Sequence, residues 1–529
     1  MTDTQQENLH LLENALAQTL HTPSSSLGWH KMVFLLRQLA NPQVSLQIEQ
    51  IILSKVPQFG YAGFLRAGFL DILTGRPEYL IQAAKALLGL PEFDPDRAII
   101  FLQSSWQRVL IDIPDRTSFY ARLSAIALPE IAGRLHQNTI KNLLASTEIK
   151  LPIRDIKTIR KVALIAPLLS NLKHPPTLMA LQQARCLRQC GYEVNLYSAQ
   201  EMLGPNSQQY LGNGIVHQAP IFTLQGWENY LDEDNQVVTG NTQHLICKRW
   251  QGLARHIAQF DPDLVMQVGL YSGLSALMYQ QRPVLSLGVN SLAPITPSDV
   301  WLTAQEELHE STLTPWGSAT DSGIAFYYPY RLERPSSLKA LPIQNAMSTV
   351  NSNWTSDHIV LSTFVSEAEA RISGVWARGM CHALKYFPKL RWLIVGGSGQ
   401  LPSSLQDVSE QVQCLPFCED VLKYLSCTDI YVNPPMMGGG FSVAEAMAAG
   451  VPAISMRDTD GGDKLGSDAV SDLRAYFDLL QRLIQDSQYR ETLGIQQEQH
   501  FNQILDLTHA TPSLQRACEL ALVRFNFQK

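Results

Sequence analysis

Leu9, Leu12, Leu16 and Leu20 recur at three- and four-residue intervals, the spacing of one helical face, and this period persists through the first 150 residues. Apolar stretches near 28–40, 43–56, 60–74, 77–89 and 94–111 repeat it. Pro42, Gly60, the Gly-Arg-Pro at 75–77 and the Pro-Glu-Phe-Asp-Pro-Asp at 91–96 punctuate them. The starts fall about 17 residues apart, which suggests stacked helical hairpins. The side-chain pattern of a tetratricopeptide array is missing, so the expectation is a compact helical domain or short solenoid.

Near residue 160 the period shortens. Lys161-Val-Ala-Leu-Ile-Ala-Pro reads as a strand, Pro176 to Gln189 as a helix stopped by Gly191, and Tyr192-Glu-Val-Asn-Leu-Tyr as a second strand. Phe260-Asp-Pro-Asp-Leu-Val-Met-Gln-Val-Gly, a helix over Tyr271 to Met278, and Pro283-Val-Leu-Ser-Leu repeat the unit. It restarts at His358-Ile-Val-Leu-Ser-Thr-Phe, with a helix over Glu367 to Tyr386, and strands at Leu390–Gly397, Val412–Phe417, Asp429–Pro434 and Val451–Met456. Strand–helix alternation of this kind implies parallel, doubly wound sheets. The predicted class is therefore α/β, two Rossmann-like domains preceded by an all-α N-terminal domain. The expected boundaries are 1–155 all-α, 156–330 for the acceptor-side domain, 331–505 for the donor-side domain, and 506–529 as a C-terminal helix packing back. Residues 310–355, rich in Pro, Ser, Tyr and Trp, read as a hinge. The cleft at the carboxyl ends of both sheets is where such folds take ligands.

Composition narrows the partners. Of 529 residues 45% are hydrophobic and 17% charged, so large cores are possible and pervasive disorder is excluded. The net charge is −7 and no Lys/Arg stripe with interleaved aromatics stands out, which argues against nucleic acid. No run approaches 18 apolar residues, and the N-terminus lacks the basic-then-apolar order of a signal peptide; a cytoplasmic chain without a transmembrane segment is expected. Eight scattered cysteines form no metal-binding spacing and read as reduced thiols.

The chemistry concentrates in Val432-Asn-Pro-Pro-Met-Met-Gly-Gly-Gly-Phe-Ser-Val-Ala-Glu-Ala-Met-Ala-Ala-Gly-Val-Pro. A strand ends at Asn433, three glycines turn the chain, and a helix begins near Phe441. Glycines admit close approach, and amides at a helix N-terminus attract negative charge. Gly438, Gly439, Gly440, Phe441 and Ser442 are thus candidates to cradle a diphosphate, and Glu445, one turn on, to accept bonds from sugar hydroxyls. A tightly packed structural turn is the bland alternative, since neither GxGxxG nor the Walker pattern is present.

This stretch resembles the donor-binding signature of GT-B glycosyltransferases, the family 4-like group especially, in which a strand ending in Asn-Pro leads through a glycine loop to Glu-Ala-Met-Ala-x-Gly-x-Pro. Leu415-Pro-Phe-Cys-Glu-Asp-Val-Leu-Lys-Tyr-Leu-Ser-Cys-Thr-Asp-Ile looks like the segment preceding it in that group. The likeness covers about 355–485, is weaker over 160–300, and leaves out 1–150. It implies a nucleotide-sugar donor, UDP-linked, and no metal or cofactor. It also implies that Glu445 binds the donor ribose, that the 438–442 amides bind the diphosphate, and that backbone near Pro416 and Phe417 binds the base. Retaining members of that group carry a second Glu eight positions before the first, where this chain has Met437.

A leaving diphosphate gains charge and needs a cation: Arg371 is the first candidate, with Arg378 and Lys464 as alternatives. The Asp460–Gly466 turn is expected to point into the same cleft, where Asp463 or the Gly461/Gly462 amides would touch the donor sugar, with a simple surface turn as the alternative. Across it, His174 in Leu169-Ser-Asn-Leu-Lys-His-Pro-Pro is the candidate general base, with Lys173 beside it. Tyr271 and Ser272 read as core or capping residues, and Asp261/Asp263 precede their strand, the wrong end for a metal pair. The layout, a helical domain before a GT-B core, is similar to soluble bacterial protein glycosyltransferases that modify adhesins, implying a polypeptide acceptor, with a glycan as the other possibility. The rival expectations are a non-catalytic GT-B partner or chaperone subunit, and a nucleotide-sugar epimerase of the same fold.

Overall fold

The computed structural model describes residues 3–21, 32, 35–36, 42–110, 115–146, 150–172, 174–203, 224, 226–227, 230–231, 236–279, 281–289, 292–306, 308, 323–330, 332–335, 350–351, 353–366, 368–418 and 421–528. The helices described first are α1 Asp3–His21, α2 Pro42–Lys55, α3 Gly60–Thr74, α4 Pro77–Leu88, α5 Pro95–Leu110, α6 Arg116–Ala125 and α7 Leu128–Ser146. Proline opens α2, α4 and α5, where its missing N–H costs nothing. Gly75 at φ 66° ends α3, and Asp115 caps α6 by accepting the Ser118 N–H at 2.7 Å. Neighbours pack in sequence and α7 closes over α4 and α5. Most of the helix expected at 28–40 lies outside the described residues.

The first sheet is parallel, in the order β3 (Val237–Thr239), β2 (Glu193–Ser198), β1 (Lys161–Ile165), β4 (Leu264–Val268), β5 (Val284–Leu287), β6 (Val300–Thr303), β7 (Ile324–Tyr327). Its helices are α8 (Pro175–Gln189), α9 (Ile246–Phe260) and α10 (Gly273–Met278). The second sheet is also parallel and runs β10 (Val412–Leu415), β9 (Leu390–Val395), β8 (Ile359–Phe364), β11 (Ile430–Val432), β12 (Ala453–Ile454). Around it lie α11 (Ala368–Arg371), α12 (Gly374–Tyr386), α13 (Gly440–Ala448), α14 (Asp460–Leu465), α15 (Leu473–Gln485) and α16 (Ser487–His500). The last helix, α17 (Thr511–Gln528), returns to pack on α8, β5 and β6.

Strand alternation divides the cores. On β1, Ala163 and Ile165 join one apolar cluster with α9, α10 and the helical region, whereas Val162 and Leu164 face α8 and α17. The helical region therefore shares a continuous core with one face of the first sheet. Glu201 ties the same junction: its carboxylate accepts from Gln103 of α5, Trp250 of α9, Ser272, and the Gly273 and Leu274 amides of α10. Burial pushes this carboxyl up to about 7 against the pull of those donors.

Three expectations need correction. The helix expected over Glu367 to Tyr386 is two, α11 and α12, because Ser373 is extended and Gly374 has φ 65°. The presumed hinge at 310–355 contains β7, which extends the first sheet. Strands β3 and β6 went unread, being three and four residues long. Among the described residues no helix is long and apolar enough to cross a membrane.

Candidate functional site

The glycine turn stands at the carboxyl end of β11. Gly439, at φ 90°, is the residue before α13, and a Cβ there would lie 2.3 Å from Asn433 Oδ1. A Cβ on Gly440 would lie 2.2 Å from Asp460 Oδ2. On Gly438 it would meet nothing within 4 Å. The turn thus has a packed inner side, which only glycine fits, and an open outer side at Gly438.

The inner side is braced by α14. Asp460 Oδ2 accepts the Gly440 N–H at 3.2 Å, Oδ1 accepts from Lys464 Nζ at 3.1 Å, and the Asp460 N–H donates to Met437 O at 3.2 Å. Lys464 is 1% exposed, so its charge balances Asp460 rather than facing the cleft. Met437, at 1% exposure, belongs to the apolar cluster of the helical region and first sheet. The position where an acid is expected in retaining relatives is thus a packed thioether.

Along α13 the side chains divide. Phe441 packs against clusters of both sheets, so it lies between them. Ser442 is half-buried, and its amide belongs to the first turn of the helix. Glu445 is partly accessible, yet its surroundings push its carboxyl up to about 8.

The other expected donor contacts fall along the same edge. Pro416 and Phe417 are exposed beyond β10, Phe417 at 61%, and the Phe417 N–H donates to Gly397 O at 3.2 Å. The Gly396–Gly399 turn after β9, with three glycines at positive φ, therefore borders the same ledge; sequence reading missed it, although paired glycines directly after a strand were the signal. Strand spacing puts β10 about 14 Å from β11. Arg371 ends α11 after β8, the strand next to β11, and is half-buried; Arg378 is exposed on α12.

Across the cleft, His174 precedes α8 and pairs through Nδ1 with Thr177 Oγ1 at 2.8 Å; Thr177 in turn accepts the Ser170 N–H at 3.0 Å. Burial lowers the imidazole to about 4, so the ring is neutral at pH 7. Leu178, one turn later, packs into the cluster holding Val443 and Ala444 of α13, which sets the two helix starts face to face. Lys173 lies outside the described residues. Tyr271 and Ser272 are buried: Tyr271 contacts His136 at 3.3 Å, and Ser272 caps α10. Asp261 and Asp263 are held by Arg154 and Arg282 at the amino ends of the strands.

Asp463 is half-buried, and its Oδ2 accepts from Arg116 Nη2 of α6 at 2.7 Å. Arg116, Gln305, Tyr327, Asp458, Asp463 and His500 line a cavity of about 640 Å³ where the helical region and both sheets meet.

Residues 370–486 match a family described as glycosyl transferases group 1. An uncharacterized glycosyltransferase from Methanosarcina acetivorans is 29% identical over 89 residues, 17% of this chain and 23% of that protein. The chain thus aligns with about a quarter of that relative's length. A point mutant of the Thermobaculum terrenum O-GlcNAc transferase is similar over 100% of both chains, with TM-score 0.57 and 12% identity. A glycosyltransferase from Rickettsia africae matches 69% of this chain and 99% of its own, at 12% identity and TM-score 0.48. The chain therefore carries a group 1 glycosyl transferase domain within a GT-B-like architecture.

Proposed function

We propose that the chain is a glycosyltransferase that moves a hexosyl group from a UDP-linked donor to a polypeptide or glycan acceptor, without a metal ion. The observation that carries this reading is the glycine turn before α13, braced inside and open at Gly438, with Glu445 one turn on, all within the matched region 370–486. The base lies on the ledge of Gly396–Gly399, Pro416 and Phe417, and the ribose hydroxyls bond Glu445. The diphosphate takes the amides of Gly438, Gly439, Phe441 and Ser442, which the α13 dipole favours. Arg371 balances the charge gained as the glycosidic bond breaks. Neutral His174, oriented by Thr177, accepts the acceptor's proton. Lys464 and Asp463 serve the donor indirectly, through the position of α14. A polypeptide acceptor takes its support from the layout, a helical region joined to the core of the acceptor-side sheet.

A second reading, a non-catalytic partner subunit, is favoured by one observation: Met437 stands packed where an acid is expected. A thermal-shift screen with UDP, GDP, ADP and their sugars separates the two. Saturating UDP should raise the melting point of the wild type and leave Glu445→Ala unmoved, since a ligand bound only by the native state stabilises it. Absence of any shift with every nucleotide would favour the partner reading.

A further inference from the structure

We infer that Arg116, from the N-terminal helical region, is a positioning residue for the donor site: it holds α14 against the glycine turn. The inference rests on the proposed donor reading for its functional meaning, and on geometry for its mechanics.

Arg116 is 3% exposed and its guanidinium is shared between both sheets. Nη1 donates to Asp458 at 3.2 Å and Nη2 to Asp463 at 2.7 Å, both residues of the α14 segment. With the Gln305 amide turned so that its oxygen faces the guanidinium, Nε donates to it at 2.9 Å from beyond β6. The backbone joins in: the Arg116 N–H donates to Asp458 O at 2.8 Å. The Thr117 N–H and Oγ1 both donate to Asp458 Oδ2, at 2.8 and 2.6 Å.

These bonds have a local reason to matter. Asp458 is a non-glycine residue at φ 64°, in the left-handed region that aspartate enters more readily than most residues but still at a cost in free energy. α14 itself has six residues, too short to be stable by its own hydrogen bonds, and its cap is the single Thr459 Oγ1 bond to the Gly462 N–H. Residues 116–117 supply what is missing. From the far side of α14, Asp460 reaches the Gly440 N–H, with Lys464 balancing its charge. A continuous chain of bonds thus runs from α6 through α14 to the first amide of α13, more than 320 residues away in sequence. The helical region is on this account a wall of the donor site.

The test pairs amide exchange with UDP titration on the full-length chain. In folded Arg116→Ala, peptides covering 436–443 and 457–465 should exchange faster than in the wild type, and the UDP dissociation constant should rise about tenfold. Asp463→Asn should act in the same direction, and the double variant should be no worse than Arg116→Ala alone, because both remove one connection. Arg154→Ala breaks a comparable ion pair with Asp261 and Asp263 at the other end of the first sheet. It should leave exchange at 436–443 unchanged even if the melting point falls. Unchanged exchange at 436–443 in folded Arg116→Ala, or additive effects in the double variant, would overturn the inference. A wild type that takes up no UDP defeats the donor reading, and the exchange result still decides whether Arg116 fixes the turn.

Discussion

A carboxyl that burial pushes up to about 8 is largely protonated at neutral pH, so Glu445 meets a ligand as an acid able to donate one hydrogen bond and accept others. The same shift couples it to stability. In the unfolded chain a glutamate titrates near the ordinary value of about 4.3. Its folded value is raised, so the folded state holds the proton longer; the associated stability is complete at low pH and is lost as pH climbs through about 8. Melting temperatures measured from pH 5 to 9 should therefore fall faster for the wild type than for Glu445→Gln. The expected difference is on the order of 1 kcal/mol per pH unit below pH 8. Parallel curves would mean that Glu445 is solvated like a surface acid. At the same scale, Asp463 shows why candidate charges are hard to read from sequence: it is spent on Arg116, a partner no local pattern announces, whereas Lys464 pairs with Asp460 at the ordinary i,i+4 helical spacing.

Among the elements, α13 makes the sharpest claim, because its two flanks differ. Alanine at Gly440 forces its methyl against Asp460, whereas alanine at Gly438 enters open space. Chemical denaturation should show Gly440→Ala destabilised by roughly 1–3 kcal/mol, the usual range for a forced overlap. Gly438→Ala should be near neutral in stability while binding UDP more weakly, since its methyl shades the ligand side. Equal losses of stability at both positions would contradict the two-sided turn. The strand runs at 161–165, 359–364 and 390–395 were legible because buried parallel strands are mostly apolar runs, with Pro167 closing the first and Gly396 the third. Strand β7 was not, because it hides in a Pro-, Ser- and Tyr-rich stretch and its residues are only half-buried or exposed. The break between α11 and α12 turns on Ser373 and Gly374 and leaves the apolar period almost intact.

For the molecule as a whole, the two-sheet arrangement and the position of the glycine turn could be read from the chain, since both are written in local period and spacing. The union of the helical region with the rest could not: Arg116 meets Asp458 and Asp463, and Gln103 meets Glu201, through pairings that sequence distance conceals. Those bonds join α5 and α6 of the N-terminal region to the frame of the cleft. The most direct measurement is a crystal structure determined with a UDP-sugar at high concentration. The account predicts phosphate oxygens on the open side of Gly438 within reach of the Phe441 and Ser442 amides, the ribose on Glu445, and Asp460 still bonded to Gly440. A cleft with no nucleotide, or a nucleotide seated away from this turn, would contradict it.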